Sequence, residues 1–396
     1  MKKKVLILSH ALELGGAERS LIGLLDALDP EMWDVDLFLL RHAGELLSSV
    51  PEHITLLPEV KAYTVLARPM KQTLKEGHLL LTGARALAKI FSNSYAKRHN
   101  HTESGVSLEY SHKFLCPFMP DIQPDKEYDL AISFLTPHYF VAKKVKAKKK
   151  IAWIHTDYTV VQTNTDSEIK MWNMYDHIIS ISDSVTDSFS KVFPSLNNKL
   201  IIVENILPSN FVHSCAEENL SEEEFKRGIA LVSIGRFCYQ KNFDNVPAIC
   251  AELIKSGLDI YWYLIGFGPD EELIKSKIAE AGMQDRVIIL GKKDNPYPYI
   301  KACDLYVQPS RYEGKAVTVR EAQMLCKPVV ITDYPTAPSQ LEDGVDGVIV
   351  PMDNKGCAKE IEELLRDKKR MNLLSKNCIE RDYSNSEEVQ KLYNLY

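Results

Sequence analysis

Glu313 and Glu321 frame the stretch SRYEGKAVTVREA, residues 310–322, the first acid ahead of a helical pattern and the second on it. The amides near Ala316, Val317 and Thr318 would be donors of that helix's first turn, which offers them no intrahelical acceptor and favours phosphate oxygens. A carboxylate on either side can accept hydrogen bonds from sugar or ribose hydroxyls. Standing alone, Glu321 reads equally well as a capping or surface acid. A second group follows a β-branched run: Gly235-Arg236, then Lys241-Asn242. Loops at the carboxyl ends of parallel strands line the ligand crevice of an open α/β sheet, so two cations there are placed to neutralise a diphosphate. Each taken singly is ordinary surface charge. Gly266 and Gly268 sit at the next strand end, where turn-making alone explains them. Near the start, Gly15-Gly16 opens a helix without the GxGxxG spacing of a dinucleotide fingerprint. His155, in WIHTD at 153–157, closes another strand; a lone histidine there is more often structural.

The elements that must position these residues alternate short β-branched or aromatic runs with longer amphipathic stretches, the pattern of parallel sheets covered by helices. The runs 5–9, 35–40, 130–134, 151–155, 177–181 and 200–203 predict one doubly wound sheet. A second is predicted by 230–234, 261–265, 287–290, 305–308, 329–332 and 348–350. Between them, residues 208–227 are polar and acidic and read as a linker. The expected organisation is therefore α/β with domains at 1–207 and 208–377, and a C-terminal helix at 378–396.

Residues 61–118 interrupt the alternation and look like an insertion, with nine Lys or Arg against three Asp or Glu. Leu80, Ala84, Leu87, Phe91 and Tyr95 recur there at helical spacing, among Arg85, Lys89, Lys97 and Arg98. That stripe predicts either a helix packed on its own domain or a basic amphipathic surface for anionic lipid. The lysines at 143, 144, 146 and 148–150 form a second cluster, read as a lipid contact or a solvated helix end.

A chain of 396 residues exceeds what one core usually supports, and 45% hydrophobic with 26% charged content is that of a folded globular protein. Residues 1–205 balance 24 basic against 24 acidic side chains, so the net charge of −6 lies in the second half and nucleic acid is not an expected partner. The eight cysteines lack zinc-site spacing and are too sparse for a disulfide scaffold, as in a reducing cytoplasm. The opening MKKKVLIL reads as a first strand rather than a secretory core, and no window reaches the about 18 to 20 apolar residues that cross a bilayer. The expected location is the cytoplasm, with any membrane contact peripheral, on the inner face.

Gly15-Gly16, Gly235-Arg236 with Lys241, and Glu313 to Glu321 occur in the order and spacing of the family 4 glycosyltransferases, which this chain resembles over most of its length, most strongly at 231–351. The resemblance implies the GT-B fold, two Rossmann-like domains with a donor cleft between them. It implies a retaining, metal-independent transfer of a hexose from a nucleotide sugar, with UDP the expected base, to a saccharide or lipid-linked acceptor in polysaccharide or surface-glycan assembly. Arg236 and Lys241 would then bind the diphosphate, Glu321 the ribose and Glu313 the hydroxyls of the sugar. Gly15-Gly16 would close over the phosphates, and His155 would contact donor or acceptor hydroxyls. No cofactor is implied. The chain departs from the family pattern at Gly314-Lys315-Ala316 and at PTAPS, residues 335–339, which leaves the sugar open. A nucleotide-sugar epimerase of similar fold and a non-catalytic nucleotide- or glycan-binding protein remain alternatives; the missing glycine fingerprint disfavours a nicotinamide-dependent oxidoreductase.

Overall fold

The structure is a computed structural model that describes residues 2–13, 15–101, 105–159, 161–220, 225, 228–313 and 316–395. It divides into two compact units, Met1–Leu207 with Asn385–Tyr396, and Pro208–Ser384.

The first unit is built on a seven-stranded, wholly parallel sheet in the order β3-β2-β1-β4-β5-β6-β7. Its strands are β1 (Lys3–Ser9), β2 (Trp33–Leu39), β3 (Thr55–Leu56), β4 (Tyr128–Ser133), β5 (Ala147–Ile154), β6 (His177–Ser180) and β7 (Leu200–Ile202). Val5, Leu6, Ile7 and Leu8 are all fully buried, because a parallel strand covered on both faces needs an unbroken apolar run. Helix α1 (Gly16–Ala27) packs through Leu21, Leu24 and Leu25. The two-residue β3 carries no run of its own and was not expected from sequence.

The insertion is helical: α2 (Met70–Lys75), α3 (Leu79–Arg98) and α4 (Val106–Leu115). The buried face of α3 is Leu81, Ala84, Ala88 and Ser92, which shares Ala84 but none of the larger residues of the predicted stripe. Leu80 at 70%, Leu87 at 50%, Ile90 at 63% and Phe91 at 52% are left exposed, although Phe91 stacks on Phe114 of α4 at 5.5 Å. Small residues let α3 come close to its neighbours, so hydrophobicity did not mark the packing face. Helices α5 (His138–Lys144), α6 (Thr165–Trp172) and α7 (Asp183–Val192) complete the layers.

The lysine cluster is neither a helix end throughout nor an open basic patch. Lys148, Lys149 and Lys150 lie on β5, and the cluster is engaged: Lys148 with Asp129 at 2.8 Å, Lys144 with Asp121 at 3.5 Å, Lys149 with Asp176 at 3.8 Å, and Lys146 and Lys150 on the carbonyls of Pro124 and Ala142.

The second unit has a six-stranded parallel sheet in the order β10-β9-β8-β11-β12-β13. It opens with α8 (Ser209–Cys215), inside the stretch read as linker; the Cys215 carbonyl accepts from Asn295, tying the helix to the unit's body. The strands are β8 (Ile229–Ile234), β9 (Ile260–Ile265), β10 (Val287–Gly291), β11 (Leu305–Gln308), β12 (Val329–Thr332) and β13 (Val348–Val350). Around them lie α9 (Val246–Lys255), α10 (Glu271–Glu280), α11 (Tyr297–Ala302), α12 (Val317–Met324), α13 (Asn354–Arg366) and α14 (Lys368–Ile379). The last helix, α15 (Val389–Tyr393), belongs to the first unit: Tyr393 lies 5.2 Å from Trp33 between ring centroids, and Leu392 is fully buried.

Candidate functional site

In each sheet the strand order reverses direction once, between β1 and β4 and between β8 and β11. A crevice forms at the carboxyl ends of strands beside such a point because the flanking connections run to opposite sides. The loops following β8 and β11 carry Arg236, Lys241 and Glu313, so the second sheet places all three beside its switch point.

There Lys241 Nζ donates to Glu313 Oε1 at 2.6 Å, with side-chain exposures of 17% and 6%. The same carboxylate accepts from Ser310 Oγ at 2.6 Å and from Gln240 Nε2 at 3.2 Å. Ser310 Oγ accepts from Gln308 Nε2 at 2.9 Å, and Gln308 Oε1 accepts from Tyr306 at 2.7 Å and Thr318 at 3.3 Å. One polar chain thus runs from Lys241 through Glu313 to the first turn of α12. An ammonium has three N–H donors, and the ion pair uses one. Arg236 is exposed and makes no hydrogen bond or ion pair among the described residues, so its guanidinium is open to solvent.

The loop holding Lys241 is fixed from both sides. Asn242 adopts a left-handed conformation at φ 60° and donates to the Pro309 carbonyl at 2.9 Å. Arg311 makes two bonds to Asp244, at 3.0 and 2.8 Å, and lies 4.2 Å from the Tyr239 ring centre. Gly266, at φ 147°, approaches so closely that a Cβ there would sit 1.9 Å from the Gly235 carbonyl oxygen. Its glycine is explained by the contact of two loops rather than by a ligand.

On α12, Glu321 is 1% exposed and Tyr297 OH donates to its Oε1 at 2.9 Å. Ala316, at the N-cap, gives its amide to Gln340 Oε1 at 2.6 Å, so this member of the predicted phosphate cradle already has a partner. The first-turn amides of Val317 and Thr318 have no intrahelical acceptor. The sequence departure at Gly314 and Lys315 lies outside the described residues. Gln308, Asp244, Tyr297 and Gln340 were missed by sequence reasoning, since only strand pairing and helix packing bring them to this point; Ser310 and Arg311 lie inside the stretch singled out there but were given no role.

Gly15, Gly16 and His155 belong to the first unit. Gly15 caps α1, and its amide donates to the Glu13 carbonyl at 2.8 Å. A Cβ on Gly16 would meet nothing within 4 Å, so packing does not demand glycine there. His155 ends β5 and donates from Nε2 to the Phe134 carbonyl at 3.2 Å, while Nδ1 is buried without a partner. Burial lowers its pKa to about 4, so the imidazole is neutral at neutral pH and Nδ1 is left as an acceptor.

Residues 216–381 match the family profile "Glycosyl transferases group 1". Among similar proteins are the alpha-D-kanosaminyltransferase of Streptomyces kanamyceticus, 28% identical over 37% of this chain and 38% of the relative. The lipopolysaccharide core biosynthesis glycosyltransferase LpsE of Rhizobium meliloti is 28% identical over 35% of this chain and 39% of the relative. The alignments thus span about two fifths of these curated relatives. Over whole chains the fold is similar to S. aureus TarM, solved with UDP, at TM-score 0.63, 14% identity and 99% coverage of both chains. Anabaena HepE, solved with UDP and glucose, gives TM-score 0.60 at 15% identity, covering 99% of this chain and 100% of that one. The fold is GT-B, and residues 216–381 are similar to the group 1 glycosyltransferases.

Proposed function

We propose that the protein transfers a hexose from a nucleotide sugar, with UDP the expected base, to a saccharide or lipid-linked acceptor in glycan assembly, with retention and without a bound metal. The observation that carries this reading is the Lys241–Glu313 pair beside the switch point, joined by hydrogen bonds to the first turn of α12. Arg236, the two remaining N–H groups of Lys241 and the amides of Val317 and Thr318 oppose the diphosphate charge. Glu321 takes the ribose and Glu313 the sugar hydroxyls. In the first unit, the Gly15-Gly16 loop serves the phosphates and His155 the sugar. The bond from the anomeric carbon to the phosphate oxygen breaks, and its electron pair leaves with the nucleoside diphosphate. The acceptor oxygen bonds to that carbon and its proton passes to a phosphate oxygen. Fixed cations and amides aimed at the developing negative charge stabilise that departure. Among the described residues no three His, Cys, Asp or Glu side chains gather as a metal site.

The exposed apolar face of α3 supports a peripheral contact with anionic membrane at the cytoplasmic surface. Leu80, Leu87 and Ile90 face outward, with Lys89, Lys97 and Arg98 on the same helix; no helix of the described residues is long and apolar enough to span a bilayer. Each such cation near an anionic surface contributes about 1 kcal/mol.

The test is calorimetric binding of UDP, GDP, ADP and NAD in the presence of EDTA, to wild type and to Lys241→Ala. One nucleoside diphosphate should bind, and the variant should lose it. Binding of NAD alone, or of none, refutes the donor assignment. Product that forms only when acceptor is supplied separates transfer from epimerisation, and the anomeric proton coupling of that product reports retention.

A further inference from the structure

The chain after β12 contains PTAPS, residues 335–339, where the sequence departs from the family pattern. This segment is tied to the stretch that carries Glu313. Thr332 Oγ1, at the end of β12, donates to the Ser310 carbonyl at 2.5 Å, and Thr336 Oγ1 donates to the Glu313 carbonyl at 2.7 Å. A short 3₁₀ turn at Ala337–Ser339 then presents Gln340, whose Oε1 accepts from the Ala316 amide at 2.6 Å.

That hydrogen bond fixes which way the Gln340 carboxamide faces. A backbone N–H can only donate, so the oxygen must point at Ala316 and the two N–H groups are left for something else. Gln340 is 6% exposed, and Nε2 is buried with no partner among the described residues. Tyr334, fully buried on the same segment, also has a hydroxyl without a partner among the described residues. Burial and the charge of Glu313 raise its pKa, so it keeps its proton and stands as a second donor on this segment. Buried donors without acceptors cost free energy that an incoming acceptor recovers. The end of the Gln340 side chain lies at the N-terminus of α12, where the amides of Val317 and Thr318 have no intrahelical acceptor and the helix dipole favours negative charge. Donors therefore accumulate at this point. A sugar hydroxyl would bring a donor of its own, whereas a phosphate oxygen only accepts, so the arrangement suits phosphate.

We propose that Gln340 is a further donor-binding residue: Nε2 donates to an oxygen of the diphosphate, while Oε1 keeps the Ala316 amide and holds the start of α12 in place. The segment after β12 is then part of the donor site, and Gln340 links the capping of α12 to the charge that the helix receives. The inference rests on the donor site proposed above and adds to it a residue outside the spaced motifs.

The experiment is calorimetric binding of UDP, GDP and ADP to the full chain as wild type, Gln340→Glu and Gln340→Ala, with thermal melting to show that each is folded at the assay temperature. In Gln340→Glu a carboxylate oxygen can still accept from the Ala316 amide, but the N–H groups are gone and a negative charge faces the diphosphate. In Gln340→Ala both are lost and no charge is added. Affinity should fall in both variants, by about tenfold or more in Gln340→Glu and by less in Gln340→Ala. A capping role alone gives the reverse order, because Gln340→Glu retains the cap. That reverse order, or unchanged or tighter binding by Gln340→Ala, overturns the proposal and leaves the donor site standing. Absence of binding by wild type overturns both.

Discussion

Lys241→Met isolates the central contact of the second unit. The substitution keeps the stem of the side chain and removes the ammonium 2.6 Å from Glu313 Oε1. Glu313 is 6% exposed and keeps two donors, Ser310 and Gln240. Removing one partner of a buried pair costs roughly 3–5 kcal/mol because a charge stays behind without compensation. The surviving donors place this case at the low end, about 3 kcal/mol. Glu313→Gln strands the cation instead, but at 17% exposure Lys241 reaches water, so about 1.5 kcal/mol is expected. The double variant lacks both charges and should lose about 2 kcal/mol, a coupling of about 2.5 kcal/mol between neighbours. Urea unfolding followed by circular dichroism measures all four corners of the cycle. A coupling below about 0.5 kcal/mol would refute the argument, because two independent surface charges add to within that margin. Nucleoside diphosphate binding, run in parallel, should fall more than tenfold in Lys241→Met.

Further outcomes follow from other parts of the molecule. Burial lowers the pKa of His112 and His138 to about 3 and of His155 to about 4, so between pH 6.5 and 4 the unfolded chain binds more protons and stability drops as pH falls. Glu168, held at about 7, acts in the opposite sense, since the folded state binds its proton first between pH 7 and 4.5. At about 1.36 kcal/mol per pKa unit, the first unit should be about 2 kcal/mol less stable at pH 5.5 than at 7.5, and about 4 kcal/mol less stable in Glu168→Gln; urea midpoints read by tryptophan fluorescence check both. Gly266→Ala should destabilise the second unit by more than about 2 kcal/mol, for its Cβ would lie 1.9 Å from the Gly235 oxygen at a strained φ. Gly16→Ala, entering open space in the first turn of α1, should leave the melting temperature unchanged or raised while weakening nucleotide binding. Leu392→Ala should cost the first unit about 2–4 kcal/mol, because that side chain is fully buried. Leu80→Ser with Leu87→Ser should leave melting unchanged and abolish flotation with phosphatidylglycerol vesicles.

Both sheets were legible because parallel strands advertise themselves: Val5 to Leu8 and Val329 to Ile331 are unbroken apolar runs, buried on both faces. What failed was face and partnership. The expected stripe on α3 chose the large residues Leu80, Leu87 and Phe91, but the face that packs is built from Leu81, Ala84, Ala88 and Ser92. Small residues, not hydrophobic bulk, marked the side that approached its neighbours, and Leu80 and Leu87 were left exposed. Helix α8 was hidden by an acidic segment that reads as linker until Asn295 reaches back to its last carbonyl.

The same distinction governs the site. Spacing could place Lys241 and Glu313 on adjacent loops but assigned them separate duties, one to phosphate and one to sugar. The structure joins them by a hydrogen bond, so on the proposed roles the two duties become dependent: a change that pulls Lys241 toward phosphate also loosens Glu313. Ser310 and Gln240 limit that loosening by holding Glu313 from two other directions. Substituting Ser310 by Ala should therefore weaken discrimination among donor sugars more than it weakens binding of the bare nucleoside diphosphate, because it frees the carboxylate while leaving the ammonium in place. Equal losses for UDP and for a UDP-sugar would show instead that the network acts only through Lys241.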